Sequence, residues 1–213
     1  MTTELPGRTQ AYLVAEIRPQ VNGLIQKRVF EEGSEVKAGS ILYQIDPAPY
    51  QAAYDQAMAA VAVAEAKIPP ARSRVERFKR LVAIHAVGQQ DYDDAVSALQ
   101  TAEAGAASAK AAMETARINL EYTSIKSPIT GRIGRSSVTV GALVNAYQGV
   151  PLAVVQQLDP IYVDVIESSA DILRLEKSME SGQLRQDKEA TRKVKLILED
   201  GSVYPLEGTL QFR

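Results

Sequence analysis

The sequence has no cysteine and one histidine. Disulfides, thiolate metal sites and a cysteine nucleophile are therefore excluded, and a histidine-based metal site or triad has no partner of its own kind. Charge of one sign is lacking too: 24 Lys and Arg stand against 26 Asp and Glu. That balance lacks the footprint of a nucleic-acid binder and of a polybasic membrane surface. No stretch approaches the roughly 18 apolar residues of a membrane span. The opening MTTELPGRTQ has no basic region, apolar core or cleavage site of a signal peptide. For a protein that works outside the cytoplasm, this implies that a targeting sequence has been removed. No two carboxylates are placed for acid/base work. No catalysis, cofactor or metal is expected.

What is present is 213 residues with 46% hydrophobic content, enough for a real core and for two or three small domains. The chain has three textures. Residues 1–46 read as short strands punctuated by glycine, residues 47–122 as alanine-rich helix, and residues 123–213 as strands with one short helix. Residues 48–120 contain 22 alanines, a composition that favours helix at nearly every position.

The helical stretch carries two heptad seams. Tyr54, Val61, Ile68, Val75 and Val82 recur every seven residues, interleaved with Tyr50, Ala57, Ala64, Ala71 and Phe78. In a second arm Tyr92, Leu99, Ala106, Met113 and Leu120 alternate with Ala95, Ala102, Ala109 and Ala116. Only Ala83 to Gly88 lies between the arms, so they are expected to fold back as an antiparallel coiled coil. An arm of about 35 residues extends ~50 Å. Asp46 with Pro47 marks the start of the first arm, and Asp91, Asp93 and Asp94 mark that of the second. Pro69 and Pro70 interrupt arm one; a kink or break is expected there, with Ile68 pushed from helical angles and the heptad phase kept.

The β part repeats itself. Pro19, Val21, Gly23, Ile25, Val36, Gly39, Leu42 and Asp46-Pro47 are echoed by Pro128, Ile129, Gly131, Ile133, Val138, Gly141, Val144 and Asp159-Pro160. Neither half buries its apolar face alone. Together they predict one flattened β-sandwich, split by the hairpin, with the glycines of GSEVKAG at 33–39 and GRIG at 131–134 read as turn glycines. Beyond it come a strand at Ile161 to Val165, a helix around Ala170 to Ser181, and a hairpin turning at Asp200-Gly201. These form a third module, joined by a strand around Thr2 to Leu13.

GSEVKAGSILYQIDP at 33–47, SPITGRIGRSSVTVGALV at 127–144 and above all VQQLDPIYVDV at 155–165 resemble the periplasmic adaptors, or membrane fusion proteins, of RND tripartite multidrug efflux pumps, the AcrA/MexA type. The resemblance covers nearly the whole chain. It implies an α+β, elongated, multi-domain protein: an antiparallel α-helical hairpin (47–122), a split lipoyl-like β-sandwich (15–46 and 123–159) and an incomplete β-barrel (1–14 and 160–213). It also implies a non-catalytic adaptor in the periplasm of a Gram-negative bacterium, bound to the inner membrane by an N-terminal lipid that this chain lacks. Its expected partners are an inner-membrane RND transporter, a TolC-like outer-membrane channel and further copies of itself in a hexamer; nucleic acid is not among them. Members continue beyond Phe212 with more barrel strands and a membrane-proximal domain.

Near the tip, family members dock into the channel with an arginine, a leucine four residues later and a serine seven further on. Arg77 and Leu81 match; Gly88 takes the serine position and cannot supply the hydroxyl. Arg77 and Leu81 fall off the heptad seam. Two other readings share the architecture. One is an adaptor of an ABC-type exporter or type I secretion system. The other is a lipoyl or biotinyl carrier, which needs a lysine at a tight turn between the halves; here the hairpin replaces that turn. His85 is read as an exposed tip residue, and Asp91, Asp93 and Asp94 as an acidic helix start rather than a cation site.

Overall fold

The structure is a computed structural model that describes residues 4–165 and 193–209. In chain order the elements are β1 (Gly7–Ile17), β2 (Gly23–Arg28), β3 (Glu35–Val36), β4 (Ile41–Ile45), α1 (Ala48–Glu65), α2 (Ile68–Ala83), α3 (Gln89–Glu121), β5 (Ser124–Lys126), β6 (Gly131–Ile133), β7 (Leu143–Val144), β8 (Ala153–Val165), β9 (Lys193–Ile197) and β10 (Val203–Thr209). They fall into two compact units, residues 10–162 and residues 1–9 with 163–213; β1 and β8 contribute to both.

In the first unit the two sequence halves interleave. One sheet has the order β5-β4-β2-β7 and the other β1-β8-β6-β3. β2 pairs with β7, β4 with β5 and β3 with β6, each time one strand from before the hairpin and one from after it. The core between the sheets draws on both halves: Ile25, Leu42, Tyr43 and Ile45 from the first, Ile133, Val144, Leu152 and Val155 from the second, none more than 1% exposed. Burying these faces against each other is what neither half achieves alone. The repeat extends to the backbone, since Gly39 and Gly141 both take left-handed angles, φ 83° and 88°. Its last element breaks down: Asp46-Pro47 opens a helix, whereas Asp159-Pro160 lies inside the extended β8. Gly131 also departs from the turn reading. It stands in β6, where an added Cβ would come 2.3 Å from the Gln156 carbonyl oxygen of β8.

Leu42 and Tyr43 are adjacent in β4 and both fully buried, which strict alternation forbids. The pairing of β4 with β5 slips between Ile41 and Tyr43, and this irregularity turns both side chains inward. The Tyr43 hydroxyl is satisfied at 2.6 Å from Ser136 Oγ and 3.1 Å from the Leu152 carbonyl, and its ring meets Phe30 edge-on. Burial pushes the Tyr43 phenol above its ordinary value, against the lowering effect of the Ser136 hydrogen bond. The folded protein therefore holds this proton to higher pH than the unfolded chain. Its contribution is complete below the unfolded value of 10.0 and is lost as pH rises through the folded one. The urea midpoint is expected to fall between about pH 9.5 and 11, and to fall less in Tyr43→Phe; equal slopes in both proteins would refute this.

β4 and β5 are joined by the helical hairpin, so their pairing clamps both of its feet. The Ile45 amide donates to the Thr123 carbonyl, Gln44 Nε2 reaches the Thr123 carbonyl and hydroxyl, and Thr123 Oγ1 caps the Leu120 carbonyl. Asp46 Oδ1 accepts the Ala48 amide, so Asp46 caps the first arm, although regular helix begins just after Pro47. Tyr50 is more than a seam residue: its hydroxyl donates to the Asn22 carbonyl and its ring packs on the sandwich core.

The seams run as the heptads predict. Val61, Val75, Ala95 and Ala106 are buried, and Tyr54, Ala57, Ala64, Ile68, Ala71, Phe78, Val82, Tyr92, Leu99, Ala102, Ala109 and Met113 are half-buried. Alanine at these positions lets α3 lie close along α1 and α2. The first arm is broken, at Ala66 and Lys67 rather than at Ile68, which is the first residue of α2. Pro69 and Pro70 then occupy the second and third positions of α2, where an amide has no intrahelical acceptor, so neither proline costs a hydrogen bond. Ion pairs on either side of the break, Glu65–Lys110 at 2.7 Å and Arg72–Glu103 at 3.1 Å, tie both pieces to the unbroken 33-residue α3.

The second unit's described residues include an antiparallel β9–β10 hairpin. Gly201 turns at φ 80° and Asp200 accepts the Ser202 amide and hydroxyl. The expected helix at Ala170 to Ser181 and the strand end at Phe212 lie outside the described residues.

Candidate functional site: the hairpin tip

α2 ends in a Schellman motif. The His85 amide donates to the Val82 carbonyl at 2.9 Å and the Ala86 amide to that of Leu81 at 2.9 Å. The residue between must be left-handed, and His85 takes that place at φ 54°. Glycine usually fills this position, which is why the sequence showed a reversal but not its form. The geometry leaves Ile84 71% exposed at the apex, beside half-buried Val87 and exposed His85. The Ile84 side chain is the tip residue that heptad analysis passed over; its signal is an isoleucine two residues beyond the last seam position, Val82.

The three residues singled out from the sequence all lie in this region. Arg77 is exposed and, among the described residues, makes no ion pair or hydrogen bond. Leu81, one turn above it, is half-buried beneath the Schellman turn, so it presents an edge rather than a whole side chain. Gly88 caps α3 in extended conformation, φ −71° and ψ 155°, and its amide donates to Asp91 Oδ2 at 3.2 Å. That is one half of a capping box; the other half needs a side chain that glycine lacks. A Cβ at Gly88 would lie 3.5 Å from Asp91 Oδ2, an ordinary contact. Gly88→Ser is therefore expected to complete the cap and to stabilise the first turn of α3 by about 0.5 kcal/mol. Amide exchange at residues 89–92 should slow; unchanged or faster exchange would contradict the capping geometry.

Asp91 is thus occupied as a cap, and Asp93 accepts from Gln89 Nε2 at 3.0 Å. Among the described residues no group of three or more histidine, cysteine or acidic side chains is placed to hold a metal ion, and no helix is long and apolar enough to cross a membrane. What the tip offers chemically is a shaped end: an apolar apex over a belt of exposed charge.

The domain family described as RND MFP, barrel-sandwich hybrid domain, matches residues 13–156, and that described as RND MFPs, beta-barrel domain, matches residues 160–213. The chain is a member of the RND membrane fusion protein family. It is 54% identical to the multidrug efflux pump subunit AcrA of Escherichia coli K12 over 212 residues, covering 100% of this chain and 53% of AcrA. It is likewise 54% identical to the multidrug resistance protein MexA of Pseudomonas aeruginosa over 213 residues, covering 100% of this chain and 52% of MexA. This membrane fusion protein chain thus spans about half the length of the curated relatives it matches. A crystal structure of a MacA-MexA chimeric protein containing the MexA α-hairpin domain has a TM-score of 0.56 and 31% identity, over 95% of this chain and 64% of that one. In membrane fusion protein terms, the interleaved sandwich is the barrel-sandwich hybrid, and the hairpin is its insertion between β4 and β5.

Proposed function

We propose that this chain is the adaptor that links an inner-membrane RND drug/proton antiporter to a TolC-like outer-membrane channel for multidrug efflux, with the hairpin tip as its channel-docking end. The observation that carries the reading is the hairpin itself. Its second arm is one helix of 33 residues, about 50 Å long, clamped at its foot and ending in a tip with no occupation inside the fold. A relative 51% identical to this chain is described as a multidrug/solvent efflux pump periplasmic linker protein, MepA of Pseudomonas putida. Residues 15–46 and 123–159 act as the lipoyl-like platform, residues 47–122 as the spacer, and residues 1–14 and 160–213 as the barrel facing the transporter. In the full-length protein the adaptor works as a hexamer in the periplasm, held to the inner membrane by a lipid anchor.

At the tip, Arg77 supplies a fixed positive charge with donors suited to channel carbonyls or carboxylates. Leu81 and Ile84 supply apolar contact, and Gly88 lets the channel backbone approach without a side chain between. Cysteines placed one at a time at 77, 81 and 88 test this, since the chain has no cysteine of its own. Crosslinks to an outer-membrane channel are expected in cells with an assembled pump; none from any of the three positions would overturn the docking reading.

A further inference from the structure

We propose that the hairpin carries a joint halfway along its length, at Ala66 to Pro70 in the first arm and Gly105 in the second, about which the tip half tilts as one body while the foot half stays with the sandwich. The joint follows from the hairpin alone; its use, aiming the tip at a channel, rests on the adaptor reading.

Three observations meet at this level. First, arm one has a gap in its hydrogen bonding. A helix running straight through would need amides at 69 and 70 to donate to the carbonyls of Glu65 and Ala66, and Pro69 and Pro70 have none. Bonding thins on either side as well: the Lys67 amide reaches back only to the Ala64 carbonyl, at 3.2 Å, and the Ala71 amide to that of Lys67 at 3.4 Å. Ala66 and Lys67 nevertheless keep right-handed angles, φ −61° and −79°, so the gap is a loss of bonds and not a corner. Second, α3 is weakened opposite. The ion pairs Glu65–Lys110 and Arg72–Glu103 bracket the gap and set residues 66–71 against residues 104–109, where Gly105 stands inside the helix. After proline, glycine is the poorest helix former. An added Cβ at Gly105 would meet nothing within 4 Å, and its φ is not left-handed, so neither packing nor conformation demands glycine there. Third, the seam is thin. Between Val61 and Val75 arm one offers Ala64, Ile68 and Ala71, and between Leu99 and Met113 α3 offers only Ala102, Ala106 and Ala109. Each alanine buries a single methyl, so little apolar area resists opening.

Each half is held together separately. The tip half, residues 68–83 with 89–104, has buried Val75 and Ala95 and the Arg72–Glu103 pair; the foot half, residues 48–65 with 106–121, has buried Val61 and Ala106 and the Glu65–Lys110 pair. Among the described residues no ion pair runs from one half to the other. Proline in one arm alone would leave an unbroken α3 to splint the hairpin. With glycine opposite, both arms yield at one level, and a few residues at helix ends absorb the tilt. The apex lies about 24 Å beyond the joint, so a tilt of about 10° carries it about 4 Å. That is enough to bring a side chain into or out of contact.

The test replaces the three residues with alanine in the full-length protein. Pro69, Pro70 and Gly105 are exposed, so Pro69→Ala/Pro70→Ala/Gly105→Ala removes no buried contact and completes both helices. Spin labels on Gln56→Cys and Lys79→Cys, exposed positions in a region without cysteine, straddle the joint about 35 Å apart. Their distance distribution should narrow about two-fold in the alanine variant; an unchanged width would overturn the joint. Amide exchange at residues 104–108 should slow about five-fold, and unchanged exchange would show that α3 does not yield there. Drug resistance should fall about four-fold at unchanged protein level, a loss of function in a more stable fold. Retained resistance would overturn the use of the joint in aiming the tip. A Leu81→Cys crosslink to the channel keeps the two readings apart: its absence with the prolines and glycine in place refutes docking and leaves the label widths to decide the joint.

Discussion

Gly131→Ala should lower the stability of the first unit by about 3 kcal/mol, the largest effect we expect from any single methyl group in this chain. The new Cβ would stand 2.3 Å from the carbonyl oxygen of Gln156, 2.7 Å from its carbon and 3.0 Å from the Gln157 nitrogen. All three are backbone atoms, so no rotamer change relieves the clash. β6 lies between β3 and β8, and the pairs Arg132–Gln156 and Ile133–Val155 fix its register beside the clash. Moving β8 away would strip those pairs and open the core at Ile133 and Val155, both fully buried. The thermal midpoint should fall by roughly 6–12 °C. Gly33→Ala is the control. Nothing lies within 4 Å of its added Cβ and only the left-handed φ of 79° is strained, at a cost of about 1 kcal/mol. Equal losses at the two positions would show that β6 and β8 are not as close as described.

Arg77→Asp should leave the fold intact and abolish efflux. Arg77 is exposed on the last turns of α2 with no intramolecular partner among the described residues, so its replacement is expected to change stability by less than about 0.5 kcal/mol. Reversing a charge at a docked tip removes its hydrogen bonds and adds repulsion, a loss of about 2 kcal/mol or more per contact. Drug resistance of a strain dependent on this adaptor should drop at least ten-fold, with protein level and melting temperature unchanged. Retained resistance would remove Arg77 from the docking surface.

Much of this was legible in the amino-acid order because it depends on local periodicity. A seven-residue repeat places Val61, Val75, Ala95 and Ala106 on one stripe whatever lies around them, and a helix that must hide that stripe needs the matching arm. The half-motif echo likewise exposed a sandwich split in two, since Ile25 and Ile133, or Leu42 and Val144, hold the same place in each half. Proline chemistry announced a break in arm one but not its location. The chain shifts the break two residues upstream, to Ala66 and Lys67, because the start of a new helix is where prolines at 69 and 70 cost no hydrogen bond.

The rest needed partners from distant parts of the chain. No local rule reveals that Gly131 is small because Gln156 passes over it, or that Leu42 and Tyr43 both turn inward through a slip against β5. His85 supplies the left-handed turn of the tip in place of glycine, so composition concealed the Schellman geometry that exposes Ile84 and tucks Leu81 beneath it. The sequence by itself determined which residues form helix, which face each arm hides and where the chain must reverse, because those follow from spacing along one segment. Only the tertiary structure decided which charges near the tip are already engaged, Arg72 by Glu103 and Asp91 by the Gly88 amide, and which among the described residues stand free, such as Arg77, because that depends on how two antiparallel helices are set against each other in space.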